Sequence, residues 1–384
     1  MVHMDIRKIP TAVIVVAAVA LLALLLMFGR FCSTAATINV TVNGNALTIH
    51  GAKTMQTAIR ESGLPINPGD FISLGGTVLK KSDGYPFAAT VNGNKTANPD
   101  YELHEGDVIE VSDGDDRIED YDSADEVRPH GGNVFGAGAI CKIEAGADGI
   151  TEVRTGRISG DVVRRVKQEG TNSTCTCYNP DVGEDKVIAL TFDDGPSDTF
   201  TSEILDILRE NNAHATFFCV GTKIENSANL VKRMRNEGHQ VGVNAYARSW
   251  KLDESNDTKI DVEGLVNDVE YGQQALGNAL DGEAPSRIIR LPNSALTGEM
   301  AGAIDTRVDA SIGWNVDTGD WMEYRASQVY EVLMGLESGD IVLLHDGGGD
   351  RSATAEALEK ALPRLAKLGY SFVTVDELIG YPAQ

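Results

Sequence analysis

The sequence predicts an α/β protein, with a parallel-sheet domain in its second half, a small strand-rich module before it and an apolar segment near the start. Seven short apolar runs carry the first part: Val187–Phe192, Ala215–Val220, Gln240–Tyr246, Arg287–Leu291, Ser311–Val316, Asp340–His345 and Ser371–Val375. Helical patterns separate them at Thr201–Asn211, Ala228–Glu237, Val262–Leu280, Ala326–Leu336 and Ala353–Leu368. Strands alternating with helices mean βα units and a parallel sheet. Between Thr37 and Asp113 short alternating runs and frequent turns take over, and Thr11–Gly29 is apolar and uncharged.

The chain has 384 residues, 42% of them hydrophobic, which allows two or more domains and at least one large core. Its 57 acidic and 33 basic residues give a formal charge of −24. That balance repels nucleic acid and anionic polymers, and it suits neutral or cationic partners.

Thr11–Gly29 is long enough, at about 1.5 Å per residue, to cross a bilayer core of roughly 30 Å. Arg7 and Lys8 precede it and Arg30 follows, so the reading is a retained anchor with residues 1–10 cytoplasmic and the rest outside. A cleaved signal peptide is the alternative, with Ser33 and Ala35 as small residues of a cleavage site and a secreted product.

In the module, Thr37–Val42, the turn Asn43-Gly44-Asn45 and Ala46–His50 read as a hairpin, and Thr54–Ser62 as a short helix. Pro68-Gly69-Asp70 and Glu105-Gly106-Asp107 each introduce a further strand. The arrangement over 37–113 resembles the small β-grasp modules of bacterial wall-associated proteins, which implies a spacer or a wall-binding role. Residues 114–126 are crowded with acids and lack the residue order of a calcium loop, so they read as a self-repelling linker. Residues 127–184, rich in glycine turns, read as a segment packed on the domain that begins at Asp185.

Cysteines stand at 32, 141, 175, 177 and 219. Cys219 lies in an apolar run and reads as a buried free thiol. Cys141 can pair with Cys175 or Cys177 outside the cytoplasm. Cys175-Thr176-Cys177 lacks the spacing of a zinc site.

The chemistry gathers where strands end. Val187–Leu190 leads into Asp193-Asp194-Gly195-Pro196, two adjacent carboxylates at a strand tip. Two ionised acids in a partly dry cleft repel, so the pair calls for a cation or a shared proton, although the same four residues also suit a solvated turn. Downstream follow Ala215-Thr216-Phe217-Phe218, Gly238-His239-Gln240-Val241-Gly242, Arg290-Leu291-Pro292, Val316–Trp321 and Leu343-Leu344-His345-Asp346. In that order the set resembles the polysaccharide deacetylases, the NodB homology family of carbohydrate esterases, over about Asp185 to Leu378.

The resemblance implies an incomplete (β/α) barrel of about seven strands over 185–380, with its site at the carboxyl strand ends. It implies removal of the acetyl group from an N-acetylated cell-wall glycan by a water activated on a divalent metal such as zinc. Asp193 would be the base, Asp194 the metal-ligand carboxylate, Arg290 the partner of Asp193, and His345, paired with Asp320, the acid. Trp321, Pro292 and Leu343 would line the sugar groove. His239 reads as structural.

One part departs from the family pattern. Asn244 and Arg248 stand where the family carries its two metal-binding histidines. An asparagine carbonyl is a poor zinc ligand and a guanidinium has no lone pair to give. The metal is therefore expected to be absent or weakly held, with Arg248 bridged to Asp194 or Asp193 in its place. The alternative function is a relative that binds glycan or scaffolds wall proteins without metal-dependent hydrolysis.

Overall fold

The computed structural model describes residues 37–245, 262–291, 295–322 and 325–384. The expected cytoplasmic tail and anchor, Arg248 and Pro292 all lie outside the described residues. Among the described residues no helix is long and apolar enough to cross a membrane. The chain forms two compact units, one reaching to Glu126 and including Thr151–Arg165, the other made of Val127–Ile150 and Val166–Gln384.

The first unit is rich in β structure. Ile38–Val42 and Asn45–Ile49 pair antiparallel across Asn43 and Gly44, whose φ of 47° and 79° suit a tight hairpin turn. Ile38–Val42 also pairs in parallel with Val108–Ser112, which continues the sheet through Ala88–Val91 to Asn94–Thr96. One face of this sheet buries Ile38, Val40, Val42, Ile109 and Val111 with Met55 and Ala58 of helix Met55–Ser62.

The acidic stretch 114–126 is not the linker its charge suggests. Arg117–Ile118 and most of Tyr121–Arg128 are strands within it. Several of its carboxylates have partners: Asp116 accepts the Asp70 N–H at 2.7 Å, Asp122 meets Arg157 at 2.6 Å, and Glu126 lies 3.8 Å from Arg164. Glu119, 2% exposed, accepts the N–H groups of Leu74, Ile158 and Ser159 and the Ser159 hydroxyl. Burial pushes its carboxyl up, but those hydrogen bonds outweigh it and bring it down to about 2.

In the second unit the parallel strands are β1 (Val187–Asp193), β2 (Thr216–Val220), β3 (Gln240–Ala245), β4 (Ile288–Ile289), β5 (Ala310–Ile312), β6 (Val316–Asp317), β7 (Ile341–His345) and β8 (Ser371–Phe372). The run expected as one strand over 311–316 is thus two. They pair in the order β5-β4-β3-β2-β1-β7-β6, with β8 beside the start of β1. Seven strands laid flat would put β5 and β6 about 29 Å apart. The three residues between Ile312 and Val316 can span at most about 14 Å, so the sheet must curl into a barrel left open between these edges.

Residues 127–184 do more than pack against this barrel. Ile140–Glu144 pairs antiparallel with β5, and Ser173–Tyr178 and Gly132–Gly136 extend the sheet beyond it. Cys141 and Cys177, register partners in that extension, form a disulfide, and Cys175 and Cys219 are free and buried.

Candidate active site

Strand parity decides which side chains meet in the barrel. On β1, Ile188, Leu190 and Phe192 join the large core outside the sheet, so Ala189, Thr191 and Asp193 face the other way. The same alternation sends Asn244 inward from β3 past Val241 and Val243, Arg290 inward after Ile289, and His345 inward past Val342 and Leu344. Asp193 and His345 are register partners on adjacent strands.

Arg290 is 1% exposed and every nitrogen of its guanidinium is engaged. Nε donates to Ile312 O at 3.0 Å, Nη1 to Thr191 Oγ1 and Asp193 Oδ1, both at 2.8 Å, and Nη2 to Gly313 O at 2.7 Å. The ring of Phe218 lies 4.3 Å below it. Burial raises the Asp193 carboxyl above its ordinary range, against the pull of Arg290 and His345. A carboxylate of raised pKa is the stronger base.

Asp194 is held differently. Its φ of 70° puts a non-glycine residue in the left-handed region, where Asp is among the few side chains tolerated. Lys223 Nζ donates to its carbonyl at 2.6 Å. Asn244 Nδ2 donates to its Oδ1 at 3.0 Å, and a carboxylate, which only accepts, requires the amide to turn that way. The loop after β7 crosses it closely. A Cβ on Gly347 would fall 2.0 Å from Asp194 O, and one on Gly348, at φ 76°, 2.9 Å from Asp194 Oδ2.

On β7, His345 Nδ1 lies 2.8 Å from Asp320 Oδ1, and the His345 N–H donates to Asp320 Oδ2 at 2.9 Å. Thr354 Oγ1 donates to the same Oδ2 at 2.9 Å. Nε2 is the nitrogen that Asp320 leaves open. Burial pulls the imidazole down, but Asp320 and the charges of Asp193 and Asp194 outweigh it and leave His345 raised. A shift in that direction favours the charged imidazolium, the form that can give a proton.

Of the expected groove residues, Trp321 is 53% exposed, with its indole N–H on Asp317 Oδ2 at 3.3 Å. Leu343, two residues before His345 on the inner face, is 4% exposed, too buried to wall an open groove. His239 is 2% exposed and accepts the Ala215 N–H at Nδ1, a core position.

Asp346 closes the motif Leu343–Asp346, but nothing in the sequence assigns it a role of its own. It is fully buried, accepts from Thr201 Oγ1 at 2.5 Å, and presses on the turn so closely that a Cβ on Gly195 would lie 2.1 Å from its Oδ2. Its Oδ1 meets no donor among the described residues, and burial raises it to about 7. Its place directly after His345 was the available signal.

The matches to known proteins fall on this unit. The model of the polysaccharide deacetylase family matches residues 181–306. A peptidoglycan-N-acetylglucosamine deacetylase of Bacillus cereus is 39% identical over 203 residues, covering 51% of this chain and 90% of that protein. The deacetylase PgdA of Listeria monocytogenes is 39% identical over 207 residues, 53% of this chain but 41% of its own length. Among solved structures, the peptidoglycan deacetylase PdaC of Bacillus subtilis aligns with a TM-score of 0.45 and 29% identity, over 51% of this chain and 91% of that one. With 90% of the Bacillus cereus protein covered at 39% identity, the chain belongs to the polysaccharide deacetylase family.

Proposed function

We propose that the protein acts on an N-acetylated cell-wall glycan, hydrolysing the amide of its acetyl group. The observation that carries this reading is the pairing of a base and an acid on adjacent strands: Asp193 on Arg290 at 2.8 Å, and His345 on Asp320 at 2.8 Å. In this reading Asp193 takes a proton from the attacking water. His345 gives one from Nε2 to the departing amine, and Asp320 steadies the imidazolium. Trp321 offers its flat face to a sugar ring. The relatives named above, described as peptidoglycan deacetylases, support the substrate class.

The family uses a divalent metal. Among the described residues the donor set does not fit one. Asp194 offers one carboxylate, and Asn244 turns an N–H toward it where an electron-pair donor would be needed. The only group of three or more potential ligands gathered among the described residues is Cys141, Cys175 and Cys177, two of which form the disulfide. No step is therefore routed through a metal. The same observation favours a second reading, a relative that binds glycan through the Trp321 groove without metal-dependent hydrolysis.

We read the apolar segment Thr11–Gly29 as the anchor that holds the protein at the outer face of a membrane, and the β-rich unit as a β-grasp-like spacer or wall-binding module. Acetate release from N-acetylglucosamine oligomers and from peptidoglycan, with zinc or cobalt and with chelator, separates the two functions. Release that depends on metal supports the deacetylase; oligomer binding without release in any condition supports the glycan-binding relative.

A further inference from the structure

Arg351 is a buried cation with no role in the chemistry above. It is 7% exposed and sits between the glycine loop after β7 and helix Ser352–Lys367. Among the described residues no carboxylate lies within ion-pair distance of it, so its N–H groups must be satisfied by neutral acceptors. Three backbone carbonyls do this. Nε donates to Gly347 O at 2.8 Å, Nη1 to Asp320 O at 2.9 Å, and Nη2 to Gly348 O at 3.4 Å.

Those acceptors belong to both sides of the cleft. Gly347 and Gly348 are the residues that lie against Asp194: a Cβ on the first would strike its carbonyl, and the second, at φ 76°, disfavours any side chain. Asp320 is the residue that holds His345. We infer that Arg351 is a positioning residue, a brace that fixes the distance between the His345–Asp320 pair and the loop over Asp194.

Helix Ser352–Lys367 thereby grips Asp320 at both ends. Thr354 bonds its carboxylate and Arg351, at the N-cap of the same helix, bonds its carbonyl. A planar fork suits this task, because its donors diverge at fixed angles toward three carbonyls. A lysine, a point charge on a flexible stem, could serve one of them at a time. The description of His345 as a proton donor rests on the proposed deacetylase reading; the brace itself rests on these contacts alone.

The test reads the His345–Asp320 hydrogen bond directly, as the low-field proton resonance of His345 Nδ1–H in the full chain, assigned by its absence in H345Q. The brace predicts loss of this signal in R351M and its partial return in R351K, with thermal unfolding followed in parallel to show that each variant is folded. If R351M does not fold, R351K decides, and it should then show a weakened signal. An unchanged signal in folded R351M or R351K overturns the proposal. Acetate release is measured on the same samples. A chain that releases none, yet loses the resonance in R351M or shows it weakened in R351K, keeps the brace and loses the deacetylase reading.

Discussion

The two sides of the cleft are built to different standards. On the side of His345, each hydrogen-bonding group of Asp320 discussed above has a partner: its carboxylate meets His345 twice and Thr354 once, and its carbonyl meets Arg351. Asp193 is equally well held by an arginine with no idle nitrogen. On the other side, Asp194 stands in the left-handed backbone region against an asparagine amide, and Asp346 behind it keeps an oxygen without a described donor. In the proposed reading the groups that would move protons are preorganised, whereas the part that would have to hold an ion faces an N–H. Preorganised acid and base groups therefore do not by themselves imply a working electrophile.

The Arg290–Asp193 contact should give the largest effect. Arg290→Met leaves Asp193 buried without its counter-charge, and should cost about 3–5 kcal/mol of stability, read by urea denaturation. A loss under about 1 kcal/mol would mean that the held side is less tightly built than its contacts imply.

Next comes Asp346. Its folded carboxyl, near 7, is raised above the ordinary 3.8, so its contribution is fully present below about pH 4 and is lost as pH rises through 7. Asp346→Asn removes that loss. It should unfold with nearly the same free energy as the parent at pH 4 and gain on the order of 2–4 kcal/mol over it at pH 8. Equal stability curves across that range would place the ionised form comfortably in the fold.

The open side can also be completed. Changing Asn244 and Arg248 together to His should raise zinc affinity at least about tenfold in calorimetric titration, because two lone-pair donors replace an amide and a guanidinium. No gain would show that the site departs from a metal cradle by more than these two positions.

The smallest effect uses a histidine outside the cleft. His130 Nδ1 lies 2.6 Å from Asp148 and Nε2 2.8 Å from Asp305, so both nitrogens must carry protons. Hydrogen bonds to Asp148 and Asp305 raise its pKa against the opposing effect of burial. The stability it gives is complete below its unfolded value near 6.5 and fades as pH climbs through the raised value. Across that range the parent should lose about 2–4 °C in Tm that His130→Gln does not lose. His345, with a single carboxylate on its ring, supplies the contrast within the same molecule.

Much of this was legible in the sequence because it depends on strand parity and local motifs. Asp193, Asn244, Arg290 and His345 could be placed together since each follows an apolar strand whose alternation sets its direction. The acidic stretch misled because its partners are remote: Arg157 and Arg164 pair with Asp122 and Glu126 from 35 and 38 positions away. No local pattern announces such a pairing. Arg351 escaped notice for a related reason, as its acceptors are backbone carbonyls and leave no trace in residue identity. Of the strands in 127–184, Gly132–Gly136 and Gly149–Gly156 were hidden by the glycines at both their ends.

Those strands bear on how the protein can be cut. The sequence alone suggests Asp185 as a natural start for the barrel domain. Such a fragment would lose Ile140–Glu144 and leave β5 as a bare edge, with unpaired N–H and C=O groups free to recruit another molecule. It would also lose the carbonyl of Ala139 that receives the Gly313 N–H at 2.7 Å, beside the two carbonyls that clamp Arg290. A fragment meant to keep β5 paired and Asp193 in place has to include Ala139–Glu144, and with them the second unit from Val127.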